Sequence, residues 1–571
     1  MVVLNVDGAK KIVQSLIENK TEIIFGFPGA SIMPVYDKLL DYPAIRHVLV
    51  RHEQAAAHAA DAYARIKNKP GVCMSTSGPG ATNLVTGIMT AYMDFAPLIA
   101  LSGNVSKSSM GKRSFQETDM VSITKAITKK NFRINETSEI DDIIKNSFEI
   151  AMSGQRGPVF IDIPKDIQTS NADFQEQKNY FTKPMAPRNS KINNLNLNLA
   201  AKEILSASRP IILVGGGAIS SNAINEINKI STGLNIFVAT TLMGKGAFDE
   251  TNVFSLGVIG MHGKKIANYA ISEADVILTV GCRFSDRITG DTNFFAKDAK
   301  IIQIEISKNE INKNIKSTIA LIGDAKQVLI ELIKRIDFKS RKNSVWQDKM
   351  KNFVKECNCN ININSPKIDP RKIIHELNNT IKKQDIITTG TGQHQMFAMH
   401  FLKRSLPRTF ITSGGSGTMG YGFPASIGAK IASPENNVFN IDGDGSFAMV
   451  SQELATCKEE EIKTTQLIFN NAYLGMVRQW QELFMDKRYA HTHLKRTPNF
   501  AKLAEAYSLY GETIERPSEI NQAIKTAIKN DSTTVLDFLI DEESNILPMF
   551  GAGDKSINMF GNCIQNKGML F

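Results

Sequence analysis

Residues 437–471, NVFNIDGDGSFAMVSQELATCKEEEIKTTQLIFNN, contain two apolar, β-branched runs, VFNID and TTQLIF, separated by a glycine turn and a helical pattern. This alternation of strand and helix is typical of a parallel, doubly wound sheet. The glycines of Gly443-Asp444-Gly445 let the backbone turn sharply where the first strand ends. Ligands of such sheets bind at the carboxyl ends of the strands. The stretch therefore predicts an α/β fold with a site at this edge.

The same rhythm extends along the chain and predicts three doubly wound parallel-sheet domains in series. The first contains EIIFGFPGAS, GVCMSTSG, PLIALSGN and GPVFIDIPKD, and the second PIILVGGG, NIFVATT, ADVILTVG and KIIQIEI. A length of 571 residues suits three units of roughly 100 to 200 residues each. Polar stretches near 171–194 and 340–368 read as linkers. The predicted boundaries are 1–180, 195–338 and 369–548 for the domains and 549–571 for a tail without periodicity.

Composition predicts a soluble protein. Hydrophobic residues make up 42% and charged residues 22%, and no apolar run approaches the roughly 18 residues of a membrane span. The net charge of +10 comes from scattered lysines, which favours a solvated surface over nucleic acid or membrane as partner. Six cysteines form no CxxC pair and no zinc spacing. We expect reduced thiols in the cytoplasm, or in a plastid stroma if the gene is organellar, and no targeting segment.

Asp444 and Asn471 stand at the ends of two predicted strands, where a carboxylate and an amide oxygen can meet. Hard oxygen ligands of this kind suit Mg²⁺, whose octahedral shell a diphosphate can complete. A GDG turn alone is a weak signal, because such turns occur at many strand ends for steric reasons. GDG and NN together resemble the thiamine-diphosphate-binding motif. This resemblance implies that Asp444 and Asn471 bind Mg²⁺ through their side chains and Tyr473 through its backbone carbonyl.

Glu53 stands where HVLV gives way to the alanine-rich helix of RHEQAAAHAADAYAR. Taken alone, it is an acidic residue that the helix dipole favours in a first turn. The segment resembles the first-domain motif of thiamine enzymes, whose glutamate hydrogen-bonds a pyrimidine nitrogen of the cofactor. The resemblance implies that Glu53 shares its proton with that ring and that the cofactor acts as an electron sink. In this family the first domain of one subunit faces the third domain of another, which implies a homodimer or tetramer with active sites at the interface.

Across about residues 1–548 the chain resembles the catalytic large subunits of acetolactate synthase. The order and spacing of GFPGASIMPVYDKL, STSGPGATNLVTGI, SFQETD, RFSDRITG, GQHQM, GTMGYGFPASIGA and GMVRQWQELF carry this resemblance. It implies conversion of pyruvate to 2-acetolactate, or of pyruvate and 2-oxobutyrate to 2-aceto-2-hydroxybutyrate, in branched-chain amino acid biosynthesis. A regulatory small subunit is a further partner that the family allows. A pyruvate oxidase and a non-catalytic thiamine- or flavin-binding protein remain alternatives, and Glu53 disfavours glyoxylate carboligase.

The resemblance also assigns roles around the reacting carbon of the cofactor. Met419 of GTMGYG would hold the cofactor in its bent form, although methionine is otherwise common core filler. Phe115, Gln116 and Lys165 would border the reacting carbon. The remaining residues implied to contact thiamine diphosphate are Pro28, Gly29, Gln393, His394, Gly417, Gly443, Gly445, Gly475 and Met476.

A second group of residues is implied to bind the acceptor, the second 2-oxo acid. Arg287 of RFSDRITG would pair with its carboxylate, a task that suits a planar guanidinium. Trp480 would pack on its alkyl group and favour 2-oxobutyrate over pyruvate. Met261 and Met476 would line the access channel.

VGGGAIS after PIIL resembles a dinucleotide-binding turn, although Ser220 breaks the GxGxxG pattern. With the segments around it, it resembles the FAD site of the biosynthetic enzymes, whose flavin performs no net redox chemistry. Glu305 replaces a usual aspartate, Arg156 is shifted by one position, and the tail lacks the usual proline-glycine stretch after NILPM. The implied FAD residues are Arg156, Gly216, Gly217, Thr241, Leu242, Met261, His262, Gly281, Arg283, Asp286, Arg287, Glu305, Ile306 and Asp324.

Overall fold

The computed structural model describes residues 5–173, 192–339, 345–356 and 366–561. Three six-stranded sheets follow one another along these residues, which confirms the predicted α/β fold with three parallel sheets in series. Each sheet lies within one of the predicted domains, whose boundaries stay a prediction. Most of the predicted linker near 171–194, part of the stretch 340–368 and the end of the tail lie outside the described residues.

The first sheet has the strand order β3-β2-β4-β5-β7-β6 with every pair parallel, and β1 pairs with β8 in a separate antiparallel ribbon. These strands are β1 (Asn5–Asp7), β2 (Ile23–Gly26), β3 (Arg46–Leu49), β4 (Gly71–Ser75), β5 (Leu98–Asn104), β6 (Lys130–Arg133), β7 (Val159–Pro164) and β8 (Asn171–Asp173). The helices are α1 (Gly8–Glu18), α2 (Met33–Leu39), α3 (Glu53–Lys67), α4 (Pro79–Asn83), α5 (Val85–Asp94), α6 (Met120–Thr124), α7 (Ile140–Met152) and α8 (Lys165–Thr169). The central strands β4, β5 and β7 are buried throughout, as expected for a parallel sheet covered by helices.

The second sheet has the order β11-β10-β9-β12-β13-β14, again with every pair parallel. Its strands are β9 (Pro210–Val214), β10 (Phe237–Thr240), β11 (Ser255–Val258), β12 (Val276–Val280), β13 (Lys300–Glu305) and β14 (Ile319–Ile322). The helices are α9 (Asn194–Ser206), α10 (Gly216–Ser220), α11 (Ile224–Leu234), α12 (Lys265–Glu273), α13 (Asp286–Thr289), α14 (Ala325–Ile333) and α15 (Val345–Glu356). The strand order reverses beside β9, so the VGGG turn that follows β9 lies at a topological switch point.

The third sheet has the order β16-β15-β17-β18-β20-β19, and all its pairs are parallel. Its strands are β15 (Ile386–Thr389), β16 (Phe410–Thr412), β17 (Val438–Gly443), β18 (Thr465–Asn470), β19 (Tyr510–Ile514) and β20 (Thr534–Leu539). The helices are α16 (Pro370–Thr380), α17 (Gln393–Phe401), α18 (Gly422–Ala432), α19 (Asp444–Ala448), α20 (Glu453–Glu459), α21 (Gly475–Phe484), α22 (Phe500–Ala506) and α23 (Ile520–Lys529). Short 3-10 helices span Lys107–Ser109, Thr137–Glu139, Leu242–Gly244 and Lys308–Glu310. Within the described parts of the chain, none of the helices is long and apolar enough to cross a bilayer.

The first and third domains share one hydrophobic core. The alanine-rich face of α3 is buried against α18 of the third domain. The small side chains let the two backbones approach closely: a Cβ added at Gly428 would lie 2.0 Å from the carbonyl oxygen of Ala59. Because this contact is close-packed, it fixes the start of α3 and the segment before α18 relative to each other.

Candidate cofactor and substrate site

The predicted metal ligands lie at the carboxyl ends of adjacent strands of the third sheet. Asp444 follows β17, is 2% exposed, and accepts a hydrogen bond from the amide of Gly445 at 2.9 Å, and the amide of Ala472 lies near enough to lower the pKa of its carboxyl. Burial raises the pKa of its carboxyl to about 7. Its Oδ2 has no hydrogen-bond partner among the described residues. Asn471 stands one residue before Ala472 at the end of the neighbouring strand, and its amide oxygen accepts a hydrogen bond from the amide of Tyr473 at 3.1 Å.

Glycines and a buried histidine line the same edge. A Cβ added at Gly443 would lie 2.7 Å from Nδ1 of His394, and one at Gly475 would lie 2.2 Å from Oε1 of Gln393. His394 Nε2 has no hydrogen-bond partner among the described residues, and burial lowers the pKa of its imidazole to about 3. The imidazole is therefore neutral at physiological pH. The side-chain amide of Asn471 donates a hydrogen bond to Gln393 Oε1 at 3.4 Å, so these two predicted residues are in contact.

This edge fits a magnesium diphosphate. The glycines leave the backbone uncovered at this edge, and Oδ2 of Asp444, which has no partner among the described residues, is free to bind a cation. The described residues contain no cluster of three or more His, Cys, Asp or Glu side chains that could hold a metal by themselves. A cation at this edge would therefore need amide, backbone and diphosphate oxygens to complete its shell.

Two further predicted residues, Gly417 and Met419, lie in the segment that leads to α18. Met419 Cε lies 3.8 Å from the position of a Cβ at Gly445. Gly417 has a φ of +61°, a backbone conformation that favours glycine. Both residues and Met476 border one cavity, which places them between the diphosphate cradle and the middle domain.

Glu53 is the first residue of α3, and its carboxylate faces the GPGATN turn. It is 8% exposed, and its Oε2 accepts a hydrogen bond from Asn83 Nδ2 at 2.9 Å. Oε1 lies 3.0 Å from the position of a Cβ at Gly80. The sequence analysis included this turn in a segment that resembles the family, but it predicted no role for Asn83 or Gly80. Their only signal was their place in the family segment.

The other predicted residues of the first domain gather near this turn. Gln116 has a φ of +60°, and its side chain lies against Gly78. Gly29 packs on Thr76, and Pro28 beside it is exposed. The other two differ: Phe115 is 87% exposed, and Lys165 is half-buried at the start of α8.

The predicted site residues of the first and third domains form two sets, the Glu53 set (Glu53 and Gln116) and the Asp444 set (Asp444, Asn471 and His394). Among the described residues, no hydrogen bond or ion pair joins Glu53 or Gln116 to Asp444, Asn471 or His394. Contacts between these domains run through the buried faces of α3 and α18 and through side-chain bonds elsewhere, such as the one that Tyr421 donates to Asp61.

A cavity of about 1260 Å³ lies where the three domains meet. A Cβ added at Gly217 would lie 2.7 Å from Gly281 Cα, so the VGGG turn and the end of β12 approach as bare backbone. Arg156 donates to Ser220 O at 2.9 Å and so reaches the turn from the first domain. Except for Asp286, every predicted FAD residue borders the cavity: Arg156, Gly216, Gly217, Thr241, Leu242, Met261, His262, Gly281, Arg283, Arg287, Glu305, Ile306 and Asp324.

Asp286 differs from the other predicted FAD residues. Its side chain is 79% exposed and borders an adjoining surface cavity of about 2480 Å³. Glu305 is buried, and although it accepts bonds from the amides of Ile306 and Ser307, burial raises the pKa of its carboxyl. Asp324 caps α14 and accepts a hydrogen bond from Ser221 Oγ at 2.8 Å.

The predicted acceptor residues lie together at one end of the cavity. The Arg287 guanidinium is 5.9 Å from the centre of the Trp480 ring, and its Nη1 is 3.8 Å from Met261 Sδ. The positively charged guanidinium of Arg287 thus lies beside the apolar side chains of Trp480 and Met261. This pairing suits a small acid that carries a carboxylate and a short alkyl group.

The beginning of the tail covers this end of the cavity. Met549, Phe550 and Met559 form one buried cluster with Met261, and Trp480 packs against it. The amide of Phe550 donates to Met261 O at 3.1 Å. Sequence reasoning left this tail without a structure, because its residues follow no period.

Comparison with known proteins identifies the family. Three family models match: the thiamine pyrophosphate enzyme N-terminal TPP binding domain at residues 6–123, the central domain at 197–332 and the C-terminal TPP binding domain at 390–538. The chain is 45% identical to the probable acetolactate synthase large subunit of Methanococcus aeolicus, over 97% of this chain and 95% of that protein. It is 44% identical to the corresponding protein of Methanocaldococcus jannaschii, with the same coverage, and 39% identical to the acetolactate synthase large subunit of Cyanidium caldarium, over 98% and 97%. The chain therefore belongs to the acetolactate synthase large-subunit family of thiamine pyrophosphate enzymes.

Proposed function

We propose that this protein decarboxylates pyruvate with thiamine diphosphate and joins the two-carbon unit to pyruvate or 2-oxobutyrate. Its membership of the acetolactate synthase family supports this function. The structural observation that carries it is the group of Arg287, Trp480 and Met261 at the end of the cavity that Met419 and Met476 also border. Arg287 would bind the carboxylate of the acceptor and Trp480 its alkyl group, so the acceptor carbonyl would be held beside the cofactor loop.

Thiamine diphosphate and Mg²⁺ would be held at the glycine cradle of the third domain. Asp444 and Asn471 would bind the cation with the backbone carbonyl of Tyr473, and His394 would face the diphosphate as a neutral imidazole. When bound, thiamine diphosphate supplies the electron sink for the carbon–carbon bond that breaks. The protein's part is to exclude water and to hold the reacting groups in place.

Glu53 would act as the acid–base residue at the pyrimidine ring. Asn83 occupies Oε2 of its carboxylate, which leaves Oε1 to face the ring nitrogen beside Gly80. Glu53→Gln keeps the shape of the side chain but cannot exchange a proton. We expect its carboligation rate to fall by about 10²- to 10⁴-fold, the usual contribution of a general acid–base group. A rate within twofold of wild type would remove this activation mechanism.

We propose that two copies of the chain complete each active site. The lack of a hydrogen bond or ion pair between the Glu53 set and the Asp444 set among the described residues is in keeping with a homodimer, or a tetramer of such dimers, in which the sets come from different subunits. Co-expressed Glu53→Gln and Asp444→Asn chains test this, since a mixed dimer would keep one intact site. We expect about a quarter of wild-type activity from random mixing. If the mixture is as inactive as the single variants, the sites are not shared.

We further propose that FAD binds in the cavity between the domains without a redox role. The bare backbone at Gly217 and Gly281 and the size of the cavity fit a dinucleotide. A regulatory small subunit is a proposed partner, in keeping with the large-subunit names of the relatives. Cys73, Cys282 and Cys457 are buried free thiols, which fits a reducing compartment such as the cytoplasm or a plastid stroma.

The first assay incubates the purified chain with pyruvate, thiamine diphosphate and Mg²⁺, with and without FAD, and measures acetolactate after acid conversion to acetoin. Acetolactate that depends on these additions is the expected result. Pyruvate consumption with oxygen uptake and without acetolactate would instead identify a pyruvate oxidase. That outcome would keep the thiamine site but refute the acceptor site at Arg287 and Trp480.

A further inference from the structure

The residues between β16 and α18 connect the two proposed cofactor sites. We name residues 412–421, TSGGSGTMGY, the Met419 segment. Gly417 and Gly420 both have positive φ values, and the segment has no regular secondary structure from 413 to 421. Its amides and carbonyls therefore need partners outside a helix or sheet ladder.

Asp94, the last residue of α5 in the first domain, supplies two of these partners. Its Oδ1 accepts a hydrogen bond from the amide of Gly415 at 2.6 Å, and its Oδ2 accepts one from the amide of Gly414 at 3.2 Å. The Asp94 side chain is fully buried and forms an ion pair with Arg65 at 3.2 Å. Arg65 in turn donates to Thr412 O at 2.8 Å.

Helices α3 and α5 hold the segment at two more positions. Thr90 Oγ1 is 2.7 Å from Thr418 Oγ1, next to Met419. Tyr421 donates its hydroxyl to Asp61 Oδ1 at 2.7 Å. Side chains of the first domain thus bond a segment of the third domain on both sides of Met419.

The residues around Asp94 and Gly415 also contact the proposed flavin site. Arg283, a predicted FAD residue, donates to the carbonyl of Met93 at 2.9 Å. A Cβ added at Gly415 would lie 2.8 Å from Asp94 Oδ1, 2.6 Å from Met93 O and 2.9 Å from Arg283 Nη2. Gly415 is therefore enclosed on three sides. Asp94 also borders the cavity between the domains.

We propose that Asp94, held by Arg65, is a positioning residue that fixes the Met419 segment and couples it to occupancy of the dinucleotide cavity. A dinucleotide that orders Arg283 would order Gly415, and with it the approach to Met419. The two sites would then raise each other's affinity, since coupling between sites is reciprocal. This inference rests on the proposed function in taking Met419 as a contact of thiamine diphosphate and the cavity between the domains as the FAD site.

The test compares Asp94→Asn with a matched control, Asp275→Asn. Asp275 also accepts bonds from two successive amides, those of Ser208 at 2.7 Å and Arg209 at 2.8 Å, but it does not border the cavity. Hydrogen exchange of the full-length protein without cofactors is measured for peptides that cover residues 412–421. Binding of thiamine diphosphate with Mg²⁺ is followed by calorimetry, with and without FAD.

In Asp94→Asn we expect exchange in the Met419 segment to be about tenfold faster or more, as follows from loss of charge-assisted hydrogen bonds. The half-saturating concentration of thiamine diphosphate should rise by about tenfold, and FAD should no longer lower it. Asp275→Asn should match wild type. Unchanged exchange and affinity in Asp94→Asn, or equal effects in both variants, would overturn the proposal.

Thr90→Val is a milder variant for the case in which Asp94→Asn does not fold. It removes the bond to Thr418 and a bond within α5 from Thr90 Oγ1 to Thr86 O, but it leaves the bonds of Asp94 in place. It should therefore speed exchange of the same peptide by a smaller factor. No change in that peptide would overturn the proposal. If the wild-type protein binds no thiamine diphosphate, the proposed function fails, whereas the exchange comparison without cofactor still decides whether Asp94 holds the segment.

Discussion

At Gly428 a single added methyl group would force α3 of the first domain away from α18 of the third domain. Gly428 lies on α18 against α3, where an added Cβ would be 2.0 Å from the carbonyl oxygen of Ala59 and 2.7 Å from its carbonyl carbon. Ordinary contact begins at 3.4 Å, and the atoms in the way belong to the backbone of a helix. The variant Gly428→Ala can therefore be accommodated only if α3 and α18 move apart by about 1.4 Å.

The expected consequences follow from what these helices carry. Overpacking of this kind destabilises a protein by about 1 to 3 kcal/mol. Glu53 begins α3 and Met419 lies just before α18, so each proposed shared site would have a displaced residue. The displacement exceeds the roughly 0.5 Å within which catalytic groups need to be held. A misplacement of about 1 Å can reduce a rate by about 10²-fold. We expect a lower melting temperature and a carboligation rate reduced by about that factor.

Thermal unfolding and the acetoin assay check this prediction, with Gly157→Ala as the control. The nearest atoms to a Cβ at Gly157 are Cγ and Cδ of Lys129, at 3.1 and 3.2 Å, and this flexible side chain can move. Gly157→Ala should therefore behave like wild type. If Gly428→Ala melts and turns over like that control, the rigid contact between α3 and α18 does not set the geometry of the site.

Two other substitutions test the protonation of Glu453 and the role of Trp480 in the acceptor pocket. Burial raises the pKa of Glu453 to about 7 from its ordinary 4.5, despite hydrogen bonds from the amide of Arg51 and the hydroxyl of Thr456. The folded protein therefore binds this proton more tightly than the unfolded chain, and the resulting stability, at most about 3 kcal/mol, is present below pH 4.5 and lost as the pH rises to 7. Glu453→Gln should flatten the fall in melting temperature between pH 5 and 8, and an unchanged slope would contradict this assignment. Trp480→Leu should reduce the preference for 2-oxobutyrate over pyruvate by about tenfold, within the range of about 1 to 3 kcal/mol for one methylene contact, and a competition assay with an unchanged product ratio would place the alkyl group elsewhere.

Local patterns were enough to predict the fold and the edge of the third sheet at which Asp444 and Asn471 lie. VFNIDGDG and TTQLIFNN each show a buried strand followed by a polar turn, and parallel strands place such turns side by side. Asp444 and the neighbours of Asn471 do meet there. The same argument worked for Gly217 and Gly281 in the middle domain, because both follow strands of one sheet.

Residues that act through contacts between distant segments could not be predicted in this way. Asn83 lies in a short helix, yet it bonds Glu53 from thirty positions away in the chain. Asp94 bonds amides more than three hundred positions later. Neither residue shows a periodic or spaced signal, since a single polar side chain at a helix end is common for other reasons.

The sequence by itself determined the three α/β sheets, the order of their turns and the types of chemical group at the strand ends, because these depend on local periodicity. Only the tertiary structure decided which groups share a pocket. It joined Arg287, Trp480 and the tail at Phe550, and it turned Asp286 outward. The physical reason is that packing between domains depends on the shapes of whole faces, such as the alanines of α3 against Gly428, and no local window contains both faces.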